Sequence, residues 1–207
     1  MYLEEFSKEK QKKIFGIQTS NKEIFDIVKA WIAISLAFAI LLSGSMGITL
    51  LFYFLISGFT VGIGFLFHEL AHKLMAQKYK CWAEFRSMDR MLIIAIVCSF
   101  FGFVLAAPGA VMIRGTMLKD EYGKISAAGP LMNFILAIIF FAIMFVSSNE
   151  YITLIGTYGF FVNTWLGLFN LIPFGIFDGI KIYRWNKQVW IGLLVFGIIL
   201  FGMTQVI

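Results

Sequence analysis

Two histidines, His68 and His72, stand four residues apart, and the chain has no others. Glu69 follows the first, so the stretch Phe65–Met75 reads FLFHELAHKLM and contains HExxH. On a helix, positions i and i+4 share a face, and two imidazoles so placed can bind one metal ion. The glutamate between them is placed to hold a water at that metal and accept its proton. The chemistry implied is metal-assisted hydrolysis. The alternative is a pair of buried histidines hydrogen-bonded to other helices, with Glu69 as counter-charge. The setting is apolar, where a charge at the bilayer centre costs roughly 2.5–3.5 kcal/mol on insertion scales, so something must offset it.

Catalytic zinc takes three protein ligands and leaves one position open. With no third histidine, the remaining ligand is a carboxylate or thiolate from elsewhere in the chain. The outstanding acid within apolar sequence is Asp178, in the stretch NLIPFGIFDG from Asn170 to Gly179. Pro173 and Gly175 interrupt this helix, and broken helices at membrane depth occur where they are buried in protein or line a cavity. The alternative for Asp178 is a helix-terminal residue paired with Lys181.

The elements that must carry these residues are apolar throughout. The 207 residues are 60% hydrophobic and only 14% charged, with a mean hydropathy of +0.86. An ordinary soluble domain is about 25% charged, so the class is polytopic membrane protein. Five apolar runs, at 27–46, 48–75, 125–146, 152–174 and 189–207, are each expected to span as a helix. A sixth, 91–113, contains Gly102 and Ala107-Pro108-Gly109 and reads as a helix or a re-entrant element. Residues 1–26 read as a cytosolic arm, able to lie as an amphipathic helix on the membrane, and not as a secretory leader. Residues 27–207 then form one membrane-embedded domain, with a core at about 48–181.

Charge placement decides between the two readings of 91–113. If that run enters and leaves on one face, all 17 Lys and Arg residues fall on the side of the N-terminus. They lie in the arm (Lys8 to Lys29), at 73–90, at 114–124 and at 181–187, and both opposite loops, SGSMG and SSNEY, have none. A single crossing would move six of them outside, against the positive-inside rule. The same topology puts His68 and Asp178 at similar depth near the cytosolic face. The net charge of +5 thus needs no nucleic acid to explain it. Cys81 and Cys98 read as free structural thiols, and Gly58 and Gly62 as a close helix–helix contact.

HExxH at 68–72 and NxxPxxxxDG at 170–179, with Gly129-Pro130-Leu131-Met132-Asn133 between them, resemble the site-2 protease family of intramembrane zinc metalloproteases. The resemblance covers roughly 62–181, over half the chain. It implies one zinc ion per chain, held by His68, His72 and Asp178, with Glu69 as the general base. Asn170 would place the substrate or stabilise the oxyanion, and Asn133 would contact substrate or satisfy a helix end. It also implies a membrane-dipping β element at 107–111, with Pro108 and Gly109 against the substrate. The edge of such an element could pair with an unwound substrate.

The expected fold is therefore all-α and polytopic, with five to six transmembrane helices and a re-entrant, partly β element after the HExxH helix. The expected activity is hydrolysis of peptide bonds in or near transmembrane segments of membrane-protein substrates, close to the cytosolic face. The expected location is the cell membrane, multi-pass, with a cytosolic N-terminus. A transporter would string polar residues along a path through the bilayer, and an inactive scaffold would lack Glu69. A zincin acting on soluble or prenylated chains would need a bulky soluble portion.

Overall fold

The computed structural model describes residues 11–14, 16–44, 47–104, 108–146 and 148–204. Lys8 and Lys10 of the expected arm, parts of the SGSMG and SSNEY loops, Ala107, and the end of the last apolar run lie outside the described residues.

The first described element is an antiparallel hairpin, β1 (Lys12–Ile14) and β2 (Ile17–Thr19), turning at Gly16 with φ +84°. Helix α1 (Asn21–Ser43) starts inside the expected arm, because Ser20 supplies a cap by accepting the Glu23 N–H at 3.2 Å. The next helical run, Ile48–Lys78, divides into α2 (Ile48–Ser57), a π-helical turn at Gly58–Gly62, and α3 (Ile63–Lys78). Trp31 of α1 donates its indole N–H to Gly58 O at 3.1 Å. A Cβ at Gly62 would run into Trp31 and Ser35, so the two glycines are the close contact their spacing suggested.

The run 91–113 does not form one helix. Strand β3 (Trp82–Ser87) precedes α4 (Asp89–Ser99), and β4 (Gly109–Arg114) returns antiparallel to β3, Trp82 opposite Arg114 and Ser87 opposite Gly109. The eleven residues of α4 give about 16 Å, well short of a ~30 Å hydrocarbon core. The remaining helices are α5 (Lys119–Ile143), α6 (Glu150–Asn170), α7 (Asp178–Trp185) and α8 (Lys187–Met203). Among the described residues, four helical segments are long and apolar enough to cross a membrane: Asn21–Ser43, Ile48–Lys78, Lys119–Ile143 and Glu150–Asn170. Five to six were expected. The run 91–113 is lost from that count to α4 and β4, and α8 is a shorter apolar helix of 17 residues.

Helices α5 and α6 approach closely because Gly159 and Gly167 face the rings of Phe140 and Phe134, where a Cβ would clash. Those rings join Phe160, Leu171 and Ile182 in the largest buried apolar cluster. The end of α3, the start of α5 and the end of α6 thus lie at one level, and the centre is built there.

Candidate metal centre

His68 and His72 project from one face of α3 and are 5% and 8% exposed. Each ring is oriented through its Nδ1. His72 Nδ1 donates to Ile125 O of α5 at 2.8 Å, and a carbonyl can only accept, so the proton is on Nδ1. His68 Nδ1 lies 2.6 Å from Asn133 Oδ1. The Asn133 amide donates from Nδ2 to Gly64 O at 3.1 Å and to Asn163 Oδ1 at 3.3 Å, so its oxygen must face the ring. Asn163 is oriented in turn by donating to Gly159 O at 2.9 Å. With Nδ1 engaged in each ring, Nε2 is the nitrogen that both imidazoles turn to the same point and that is available to a metal ion.

Asp178 is delivered by the break in the chain after α6. Pro173 and Gly175, the latter at φ +68°, end the helical path, and α7 begins at Asp178. Gly179 lies against Leu171, where a Cβ would strike the Leu171 carbonyl. This tight corner folds Asp178 back over α3. Its Oδ2 is 2.9 Å from His72 Nε2 and 3.4 Å from His68 Nε2, and the two Nε2 atoms are 3.1 Å apart. Its Oδ1 accepts from Lys181 Nζ at 2.8 Å.

Three groups facing one another this closely must share a cation, either a proton or a metal ion. A tetrahedron with metal–ligand bonds of ~2.0–2.1 Å has edges of ~3.3–3.4 Å, close to the three separations seen here. Two neutral imidazoles and a carboxylate, all buried, therefore fit a zinc ion in donor type and spacing. Gly129 of α5 completes the fit, since a Cβ there would run into both Nε2 atoms.

A cavity of about 400 Å³ opens beside this cluster. Its wall includes His68, Glu69, His72 and Asp178, together with Asn170 and with Pro108, Gly109, Ala110 and Val111. Ile34 and Phe38 of α1 and Phe65, Phe169 and Phe177 make much of the rest apolar. Glu69 accepts the Val111 N–H through Oε2 at 3.2 Å, which puts the outer edge of β4 beside it. Asn170 donates from Nδ2 to Leu166 O at 3.0 Å.

Of the residues singled out from sequence, the structure brings seven to this wall. Asn133 is the exception. It is fully buried with its Oδ1 against His68 Nδ1, and it is not among the residues of the cavity wall. Sequence reasoning missed Asn163 and the Ile125 carbonyl. An asparagine inside an apolar span is a signal that could have exposed the first; a backbone carbonyl leaves none. Cys81 and Cys98 are free thiols far from any ligand role. Burial, and then the Glu121 charge, pushes the Cys81 thiol above its ordinary value.

The fold and site are those of a mostly helical protein with four segments apolar enough to cross a membrane and a buried His₂–Asp group, built on HExxH, that could hold a metal ion. A protein of Methanocaldococcus jannaschii named "Putative zinc metalloprotease" is 38% identical over 189 residues, covering 89% of this chain and 96% of its own length. The chain belongs to that zinc metalloprotease family. No family model matches the chain, and no solved structure matches it significantly.

Proposed function

We propose that the protein is an intramembrane zinc metalloprotease of the site-2 type, cutting peptide bonds in or near transmembrane segments of membrane-protein substrates close to the cytosolic face. The observation that carries this reading is the convergence of His68, His72 and Asp178 beside Glu69, at one end of helices apolar enough to cross a bilayer. One zinc ion, held by these three ligands, would supply Lewis-acid polarisation of the scissile carbonyl and of water. Glu69 takes the proton of the attacking water and passes it to the departing amine nitrogen as the C–N bond breaks. Asn170, on the cavity wall, positions the substrate.

The β3–α4–β4 segment supports the substrate class. A transmembrane helix hides its carbonyls and must unwind to be cut. The outer edge of β4 faces the cavity, with Pro108 leading into it. By strand alternation Gly109 and Ile113 direct their backbone groups the same way as Val111. An extended segment can pair there, flanking the bond that Glu69 makes. In this reading the segment dips into the membrane from the cytosolic face, and the N-terminus lies in the cytosol.

The test is metal content of the detergent-purified protein and its Asp178→Ala variant, followed by cleavage of membrane-protein substrates with Glu69→Gln as control. The expected result is about one zinc per chain in the parent, much less in D178A, and a rate loss of about 10²–10⁴-fold in a zinc-replete E69Q. A parent that takes up no zinc after reconstitution would sink the reading in favour of a non-proteolytic membrane protein.

A further inference from the structure

A second buried group of charges, unused by the metal centre, lies where α1, α3 and β3 meet. Glu23 is fully buried, and Lys73 and Glu84 are 3% and 1% exposed. Glu23 stands three residues after the Ser20 cap, a position from which a glutamate commonly bonds back to the cap. Its carboxylate does otherwise. Oε1 accepts the Phe85 N–H of β3 at 2.8 Å, and Oε2 accepts the Thr19 hydroxyl at 2.6 Å and pairs with Lys73 of α3. Lys73 lies four residues after Glu69, on the adjoining turn of the same helix.

Phe85 is the residue directly opposite Val111 in the β3–β4 pair. The Phe85 N–H leaves the outer edge of β3 for Glu23, and the Val111 N–H leaves the outer edge of β4 for Glu69. This is therefore a non-hydrogen-bonded pair, with both N–H groups turned away from the ladder. One carboxylate grips each outer edge of the sheet at the same cross-strand pair. A slip of one residue would turn one of these two N–H groups inward and leave its carboxylate without a donor. Buried ion pairs return little net stability after desolvation, so stability alone does not account for Glu23 and Lys73 here. Register does.

We propose that Glu23, charge-balanced by Lys73, is a positioning residue that locks the β3–β4 sheet in register against Glu69 and so sets the strand edge presented to the substrate. This rests on the reading of Glu69 and the β4 edge given above. Glu23 touches neither metal ligands nor cavity; it acts through Phe85 and Val111.

The test compares two full-length double variants in detergent, E23Q/K73M and E23M/K73M. Gln and Met are nearly the same size, both variants lack the charge pair, and only Gln keeps an acceptor for Phe85. The readout is amide hydrogen exchange at Val111, on the far strand, with zinc content and cleavage measured alongside. Exchange at Val111 is expected to quicken by about ten-fold or more in E23M/K73M and to stay within about three-fold of the parent in E23Q/K73M. Zinc should be retained in both, with kcat/KM and the position of cleavage disturbed only in the methionine variant. Faster exchange at Phe85 with none at Val111 would overturn the proposal. Should E23M/K73M not fold, the parent decides: Phe85 and Val111 must open together, and protection factors differing by more than about ten-fold would equally overturn it. A zinc-free, inactive parent would sink the proposed function, while the exchange data would still decide the clamp.

Discussion

His68 illustrates how much of a proposed metal ligand lies outside the ligand itself. Its useful lone pair exists because Asn133 accepts the Nδ1 proton, and Asn133 can do so because Gly64 and Asn163 take its N–H₂ hydrogens. Asn133→Ala removes the acceptor and leaves the Nδ1–H buried and unbonded. Such outer partners are worth about 10–100-fold in metal affinity, so chelator competition should show zinc held that much more weakly in N133A, with helical circular dichroism unchanged. The residues that would contact metal or water were legible, because HExxH constrains type and spacing together. The role of Asn133 was not. Its local sequence marks a helix turn with Pro130, and nothing in that turn says that His68 packs against it 65 residues away.

At the scale of elements, the corner between α6 and α7 carries Asp178, the proposed third ligand. Pro173 and Gly175 announced a break, and the break is there. The direction of the chain after it depends on Gly179, which allows α7 to start against the Leu171 carbonyl. Gly179→Ala should push α7 away from that carbonyl and carry Asp178 off the histidines. Zinc content should fall sharply in G179A while unfolding of the remaining helices, followed by circular dichroism, changes little. A variant with full zinc occupancy would show that the corner is not what aims Asp178. The β3–α4–β4 segment was legible only in outline. Charge placement argued that 91–113 does not cross, and Pro108–Gly109 marked where the strand begins. The pairing partner, Trp82–Ser87, was missed, since six residues with Glu84 and Arg86 among them read as a charged loop. These charges are tolerated because Arg86 pairs with Glu84, and Glu84 also accepts from Ser20 and Gln11.

At the scale of the whole molecule, the meeting of His72 with Ile125 and Asp178 requires the end of α3, the start of α5 and the end of α6 to share one level. The chain between α3 and α5 must then return to the level it left. With Cys81 and Cys98 replaced, single cysteines placed at Gly47 and Ser148 should react with a membrane-impermeant thiol reagent from the outside of sealed cells. Cysteines at Lys80 and Thr116 should react only after the membrane is opened. Labelling of residue 116 from outside would break the topology and, with it, the proposed site at the cytosolic face.

The sequence by itself determined the apolar segments and the two halves of the candidate centre. Hydropathy sets which segments are able to leave water, and HExxH and the Pro-interrupted Asp178 stretch are local patterns with few other uses. Only the tertiary structure decided which groups stand behind the ligands. The tautomers of both histidines, the exclusion of a side chain at Gly129, and the grip of Glu23 and Glu69 on opposite edges of one strand pair all depend on contacts between residues far apart in the chain. Such contacts follow from packing, and packing leaves no fixed spacing for a sequence to display.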